Sequence, residues 1–165
     1  MITQDELKKI FDYNQDTGIL TWKIDRNWKI KAGSVAGTIK KDKYININLK
    51  GKMYRAHRLI WLYVYGYMPK IYIDHINGNP SDNRICNLRE ATNSQNMQNS
   101  RIRKDNTSGV KGIGWSNRFN KWIARIRVNN KRVTIGIFDD LNIAKEAIIK
   151  ARNEIHGNFA NYGEE

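Results

Sequence analysis

A basic, polar segment at residues 100–109 divides this chain, and it constrains the possible folds more than any other feature. The segment holds three cationic residues and one large apolar residue: Arg101, Arg103, Lys104 and Ile102. It ends in turn-forming residues, and such a composition is typical of an exposed linker. The sequence therefore predicts two small domains joined by a basic linker, with the first domain at 1–99, the linker at 100–106 and the second domain at 107–163.

The first domain is predicted to combine short strands with helices. Thr3 and Glu6 have the spacing of a capping box, so a short amphipathic helix is expected there, with an apolar side formed by Leu7, Ile10 and Phe11. Residues 57–67 are apolar on nearly all sides and are followed by a proline, which predicts a buried helix. Strand patterns occur at 19–23, 34–40, 43–49 and 52–57, with a hairpin turn at 50–52.

The second domain is predicted to be a three-stranded antiparallel sheet packed on one helix. The strands are expected at 112–116, 121–128 and 131–138, with a turn at Asn129 and Asn130. The helix, at 141–156, carries a stripe of small and aliphatic side chains: Ala144, Ala147, Ile148, Ala151 and Ile155. Both domains together indicate an α+β fold.

The strand at 121–128 is expected to present arginines on the open face of this sheet. Alternation would turn four side chains toward the helix, Trp122, Ala124, Ile126 and Val128, and three away from it, Ile123, Arg125 and Arg127. Arg125 and Arg127 would lie about 7 Å apart, comparable to successive phosphates along one DNA strand. Arg132 and Thr134 of the next strand would lie beside them. A solvated charged face is the alternative interpretation.

The charge balance favours an anionic partner. Lys and Arg total 29 and Asp and Glu total 16, so the net charge is +13, as expected of a protein that binds nucleic acid or an anionic membrane. The longest apolar stretch, at 59–65, is much shorter than the roughly 18 residues of a membrane-spanning helix. Cys86 is the only cysteine, which argues against disulfides and thiolate-rich zinc sites. We expect a soluble protein of a reducing compartment whose partner is nucleic acid.

The densest polar chemistry lies between residues 73 and 99. An apolar strand ends in Asp74 and His75, and after a loop rich in Asn and Gly a second capping box starts a helix that carries Asn96. Hydrolysis of a phosphodiester needs a base for the attacking water, a role that suits histidine. It also needs a hard divalent cation, which carboxylate and amide oxygens can hold. A surface Asp-His pair beside a simple turn is the alternative interpretation.

The segment DHINGNPSDNRICNLREATNSQNMQN, at 74–99 within a core motif at 71–100, resembles the signature of the HNH nuclease family. The form is that of phage-borne and homing endonucleases. HRLIW at 57–61 and DYNQDTGILTWK at 12–23 also resemble that subgroup, so the likeness covers about the first 100 residues. The resemblance implies a ββα-metal fold, also called a His-Me finger, and metal-dependent cleavage of DNA.

The resemblance assigns roles position by position. His75 would be the general base, and Asn87 would brace the loop and help to orient His75. Asp74 and Asn96 would hold one Mg²⁺ or Mn²⁺. Asn96 replaces the family's final His, which favours an oxygen-preferring ion. The next candidates for this ligand are Asn99 and then Asn93.

Four further residues near the motif receive less specific roles. Arg84 and Arg89 would either clamp the scissile phosphate or be exposed cations. His57 is expected to be a structural hydrogen-bonding residue, and Cys86 a small core residue.

The segment SGVKGIGWSNRFNKWIARIRVNNKRVTIGIFDDLNIAKEA, at 108–147, is similar to the AP2-type DNA-binding domain. In that family a three-stranded sheet lies in the major groove of DNA. The contacts implied here are Lys111, Arg118, Arg125, Arg127 and Arg132. Gly114, Ser116 and Thr134 stand where plant members often carry Arg or Trp, so base specificity does not transfer. Trp115 would contact the DNA backbone or pack.

The leading interpretation is a metal-dependent DNA endonuclease of the phage-encoded homing type. It would be a cytoplasmic protein, with a monomer favoured, that binds double-stranded DNA and needs no membrane or small-molecule cofactor.

 The N-terminal domain would cut at a site that the basic C-terminal sheet selects. The alternative is a non-catalytic DNA-binding regulator with the same two folds, although Asp74, His75 and Asn96 are all present. A structural-zinc module is disfavoured by the single cysteine and three widely spaced histidines. Charge alone leaves RNA open as a substrate, but neither domain shows the exposed aromatic pair typical of single-strand binding.

Overall fold

The structure is a computed structural model that describes residues 2–100, 102, 104–128 and 131–161. Its helices are α1 (Gln4–Ile10), α2 (Ala56–Tyr65), α3 (Asn93–Gln98) and α4 (Leu141–His156). Its strands are β1 (Phe11–Asn14), β2 (Ile19–Trp22), β3 (Thr38–Ile39), β4 (Ile45–Leu49), β5 (Lys52–Arg55), β6 (Tyr72–His75), β7 (Leu88–Ala91), β8 (Ile113–Ser116), β9 (Lys121–Val128) and β10 (Lys131–Phe138). The predicted α+β class is confirmed.

The chain divides into two compact units, Met1–Ala91 and Thr92–Glu165. The domain limits expected from the sequence, 1–99 and 107–163 with a linker at 100–106, remain a prediction. Arg101, Arg103 and the predicted turn at Asn129 and Asn130 lie outside the described residues. Every helix among the described residues is too short or too polar to cross a lipid bilayer.

The first unit is built on the buried helix α2. Three antiparallel arrangements contribute to the same core: the β1–β2 hairpin, the β3–β4–β5 sheet and the β6–β7 hairpin. Lys50 and Gly51 connect β4 to β5 with positive φ angles of 52° and 78°, as in the tight turns whose twist matches that of a hairpin. The largest fully buried apolar side chains of this core are Phe11, Leu7, Ile47, Leu49, Leu59 and Ile60.

Helix α2 is buried as its composition predicts. It ends at Gly66, which adopts a left-handed conformation with φ of 79° and donates its N–H to the carbonyl of Leu62. Glycine adopts this conformation without the steric cost that a side chain would add. The predicted helix at 57–67 is therefore confirmed, with slightly different ends.

Two predictions for the first unit were wrong in detail. Phe11 does not belong to the first helix but begins β1, because its buried ring packs on Trp22 with ring centroids 4.5 Å apart. The strand expected at 34–40 is reduced to β3 and an isolated bridge at Val35. Gly37, with φ of 101°, interrupts it.

The β6–β7 hairpin presents the motif residues. Asp74 pairs with Arg89 and His75 with Leu88 across the hairpin, and a long loop connects the two strands. The loop closes with a short 3₁₀ turn at Ile85–Asn87. The chain then continues into α3, whose capping box at Thr92 and Gln95 has both predicted hydrogen bonds.

The second unit contains the predicted antiparallel sheet, in the order β10–β9–β8, packed on α4. Its buried core is formed by Ile113, Ala124, Ile126, Ala144 and Ile148. Asp140 caps α4 by accepting hydrogen bonds from the N–H groups of Asn142 and Ile143, which satisfies two amides of the first turn. The predicted sheet on one helix is confirmed. The helix stripe was wrong at Ile155, which is exposed, and Arg152 is buried in the last turns instead.

Candidate active site and basic sheet

Asp74 and His75 are the last two residues of β6, and both are 5% exposed. A regular strand would turn adjacent side chains to opposite sides. Here the strand ends at His75, and the loop that follows turns at once, with the N–H of Gly78 donating to the carbonyl of His75. The hairpin therefore holds a carboxylate and an imidazole next to one another in a largely dry environment.

The imidazole of His75 is held by a hydrogen bond and by two neighbouring rings. Its Nε2 lies 3.0 Å from Oδ1 of Asn83. The ring of His57 packs edge-on at 5.1 Å between centroids, and the ring of Tyr44 at 5.9 Å. Burial lowers the pKa of His75 below its ordinary value of 6.5, while Asn83 and the charge of Asp74 oppose this shift. A neutral ring, as a general base requires, is thus favoured at neutral pH.

His57 lies closer to the motif than its sequence position indicates. Burial, helped by the neighbouring His75, lowers the pKa of His57 to about 3. His57 also packs on Tyr44, with ring centroids 5.4 Å apart. The rings of His57, His75 and Tyr44 therefore all pack against one another. The sequence indicated a structural role for His57 without indicating that it touches His75.

Asn87 lies at the base of the loop, where its side chain makes three hydrogen bonds. Its Oδ1 accepts from the N–H of Asn77 at 3.0 Å, and its Nδ2 donates to Oδ1 of Asn77 at 3.0 Å and to the carbonyl of Asp82 at 2.8 Å. These bonds tie the two ends of the loop together. The His75 ring forms a hydrogen bond with Asn83, a residue that the sequence did not indicate.

Both arginines beside the motif are paired with carboxylates. Arg89 donates to Oδ2 of Asp74 from Nε at 2.9 Å and from Nη2 at 2.8 Å. Arg84 donates to Oδ1 and Oδ2 of Asp82 at 2.8 and 2.6 Å, and this pairing lowers the pKa of Asp82 to about 2. Arg84 is exposed at the surface, whereas Arg89 is largely buried.

The two predicted metal ligands each carry the kind of oxygen that a hard cation prefers. Asp74, in the first unit, has a carboxylate, and Asn96, half-buried on α3 of the second unit, has a carboxamide oxygen. Mg²⁺ needs only one or two such protein ligands, because it keeps several waters and binds substrate phosphates. Among the described residues, no three His, Cys, Asp or Glu side chains are grouped so that they could hold a metal ion together.

The other candidates of this region are placed as follows. Asn99 is buried, and its carbonyl and Oδ1 accept hydrogen bonds from Asn161. Asn93 is exposed at the first position of α3. Cys86 is exposed in the 3₁₀ turn, so its expected place in the core was wrong.

The open face of the second unit's sheet carries arginines, as alternation predicts. Arg125 and Arg127 are exposed on β9, while Ala124 and Ile126 between them are buried. The register pairs Arg132 of β10 directly with Arg127, and directly paired residues share a face of the sheet. Three guanidinium groups thus occupy one region of the surface.

The two remaining predicted DNA contacts, Arg118 and Lys111, differ in whether their charged groups are exposed or already hydrogen-bonded. Arg118 is exposed in the β8–β9 turn and lies over the ring of Phe119. The ammonium group of Lys111 is already engaged, because it donates hydrogen bonds to the main-chain carbonyls of Gln98 and Ser100. Burial lowers the pKa of Lys111 to about 8. A role for Lys111 in capping the end of α3 is what these contacts support.

Trp115 packs against Trp122, with ring centroids 5.0 Å apart, and is nearly half exposed.

A cavity of about 450 Å³ lies beside the end of β9. The basic residues that line it are Lys111, Arg125, Arg127, Arg132, Arg152 and His156, and no acidic side chain among the described residues lines it. Such a lining favours an anionic group over a cationic or neutral one.

Comparison with known proteins gives three results. A family model described as HNH endonuclease matches residues 54–98. Protein 3.8 of Escherichia phage T7 is 37% identical over 109 residues, which are 66% of this chain and 89% of that protein. A solved structure of DNA binding and cleavage by the HNH homing endonuclease I-HmuI is 27% identical, with a TM-score of 0.40 over 55% of this chain. The match spans about half of that structure, 51% of its chain.

The family model covers α2, the whole of the β6–β7 hairpin and α3. The matched residues thus include Asp74, His75 and Asn87 of the hairpin and its loop, and Asn96 of α3. The phage relative is matched over most of its own length. The segment matched by the family model contains the buried carboxylate of Asp74 and the buried imidazole of His75. The chain belongs to the HNH endonuclease family.

Proposed function

We propose that the protein is a metal-dependent DNA endonuclease of the phage-encoded homing type that acts in the host cytoplasm. One observation carries the proposal: His75 is buried next to Asp74, and its Nε2 is held by Asn83. A histidine restrained in this way can act as a general base. Membership of the HNH endonuclease family identifies the bond that this base would help to hydrolyse.

The chain's own residues would divide the chemistry as follows. His75 accepts one proton from the attacking water, so that the water oxygen forms a bond to phosphorus as the bond to the leaving oxygen breaks. Asp74 and Asn96 would hold the divalent cation, which when bound neutralises charge on the phosphate and on the leaving oxygen. Arg89 orients the Asp74 carboxylate through its two hydrogen bonds. Asn87 holds the loop that leads away from His75.

The second unit would bind double-stranded DNA with the open face of its sheet, in the manner of an AP2-type domain. Exposed Arg125, Arg127 and Arg132, together with Arg118 in the turn, support this assignment. The net charge of +13 supports a polyanionic partner. A second DNA-binding unit on the same chain raises the local concentration of the nuclease at its target.

The arginine pair on β9 makes this assignment testable. We expect that Arg125→Ala with Arg127→Ala will weaken DNA binding and reduce the slope of log K against log salt by about 1.8, or about 0.9 for each lost phosphate contact. Fluorescence anisotropy with duplex DNA across a salt series measures this slope. Lys150→Ala, which removes an exposed charge from α4, is the matched control and should change the slope little. An unchanged slope in the double variant would remove the sheet from the DNA interface.

The nuclease proposal is tested by cleavage of supercoiled plasmid and phage genomic DNA by the full chain. We expect nicked or linear product with Mg²⁺ or Mn²⁺ and none with EDTA, because the cation neutralises charge at the phosphate. Relaxed circles would indicate cleavage of one strand, and linear product cleavage of both. Equal product with EDTA would contradict metal dependence.

A non-catalytic DNA-binding regulator is the second candidate. The observation that favours it is the pairing of Asp74 with Arg89, since a carboxylate already neutralised by a guanidinium has less charge to offer a cation. Tight, salt-sensitive binding without product on a library of random target sequences, at any of the metal conditions, would support this candidate.

A further inference from the structure

We propose that Asn83 is a positioning residue that sets the tautomer of His75, and that the β1–β2 hairpin holds Asn83 in place for this purpose. The benefit of this positioning depends on the proposed nuclease function. The contacts that hold Asn83 and His75 do not depend on it. It concerns residues of the first unit alone.

The tautomer follows from the hydrogen bond between the two side chains. Oδ1 of Asn83 lies 3.0 Å from Nε2 of His75, and a carboxamide oxygen can only accept. With the carboxamide in this orientation, His75 donates through Nε2–H. A neutral imidazole carries a single ring proton, so Nδ1 keeps its lone pair and is the nitrogen that can accept a proton from water.

The backbone of Asn83 is clamped by the β1–β2 hairpin. The hydroxyl of Tyr13 donates to the carbonyl of Asn83 at 2.9 Å and accepts from the N–H of Ile85 at 2.9 Å. Gly18, in the turn between β1 and β2, has φ of 72°, and a Cβ there would lie 2.6 Å from the carbonyl carbon of Asn83. The turn thus packs on the peptide that follows Asn83, and no side chain fits between them.

The side chain of Asn83 is poorly explained by packing. It is 1% exposed, and its Nδ2 has no hydrogen-bond partner among the described residues. A buried donor without a partner is unfavourable, and an apolar side chain of similar size would avoid it. The one hydrogen bond described for the Asn83 side chain goes to His75, which indicates that the amide serves the imidazole rather than the core.

The test uses the full chain with ¹⁵N-labelled histidine. Long-range ¹H–¹⁵N correlation spectra distinguish a protonated ring nitrogen from one with a lone pair, and single substitutions assign the three histidines. Asn83→Leu removes the acceptor, and Asn83→Asp keeps an oxygen in the same place. Tyr13→Phe removes the clamp on the backbone but leaves the amide. Asn79→Ala, in the same loop, is the matched control.

We expect the Nε2–H tautomer in the unmodified protein, in Asn83→Asp and in Asn79→Ala. In Asn83→Leu we expect a growing Nδ1–H population and a kcat lower by roughly 10- to 100-fold, the usual effect of losing such a supporting contact, with KM for DNA little changed. Tyr13→Phe should show a smaller shift in the same direction.

An Nδ1–H tautomer in the unmodified protein would overturn the proposal, and this measurement requires no variant to fold. So would an unchanged tautomer in a folded Asn83→Leu variant. If the tautomer behaves as expected but the unmodified protein cleaves no DNA, the positioning by Asn83 stands and the nuclease function fails.

Discussion

Replacement of His75 by alanine is expected to lower the cleavage rate by about 10²- to 10⁴-fold, the usual contribution of a general base, while DNA affinity changes little. The reason is that His75 is buried beside Asp74 and is the residue placed to accept a proton from water. The cationic groups assigned to DNA binding lie on the second unit's sheet. Single-turnover cleavage and anisotropy, on the same DNA, measure the two effects.

Loss of the buried ring also removes packing against His57 and Tyr44, so folding must be separated from chemistry. Thermal unfolding of His75→Ala provides this control. Added imidazole should restore part of the rate if the variant is folded and lacks only the base. Cleavage by His75→Ala at the unmodified rate would refute the role of His75.

Replacement of Arg89 by leucine is expected to destabilise the first unit by about 3 kcal/mol, since removing one partner of a buried ion pair leaves an uncompensated charge. The side chains of Arg89 and Asp74 are only 16% and 6% exposed, and two hydrogen bonds join them. Urea unfolding measures the loss. The double variant with Asp74→Asn should be more stable than Arg89→Leu alone, because the buried carboxylate whose ion pair with Arg89 was lost is then removed.

Arg84→Leu is the matched control for this experiment. Arg84 also binds a carboxylate, that of Asp82, but its side chain is 45% exposed, and an exposed ion pair contributes at most about 1 kcal/mol. Equal losses for Arg84→Leu and Arg89→Leu would show that burial of the Asp74–Arg89 pair does not matter to its energy.

Local patterns predicted much of the fold. Both capping boxes, at Thr3 and Thr92, form as their spacing indicates, because each needs only contacts within one helical turn. The β4–β5 hairpin and the three strands of the second unit follow from alternation and turn residues. The errors occurred where distant packing overrides a local pattern. Phe11 leaves the helix to pack on Trp22, and Ile155 is exposed although its spacing placed it on the apolar stripe.

The candidate site was predicted only in part. The motif indicated Asp74, His75 and Asn87, which the β6–β7 hairpin and its loop bring together. Nothing in the sequence indicated that Asn83 and the rings of His57 and Tyr44 contact His75. His57 and Tyr44 come from other elements, and no spacing rule relates residues that are so far apart along the chain.

The sequence by itself determined the order of the elements, the basic charge and the residues of the motif, because these depend on composition and on neighbours a few positions apart. Only the tertiary structure decided which of these groups are engaged with one another. Arg89 binds Asp74, the ammonium of Lys111 binds main-chain carbonyls, and Asn83 binds His75. The physical reason is that a hydrogen bond or an ion pair depends on distances of about 3 Å, which folding sets between residues far apart in sequence.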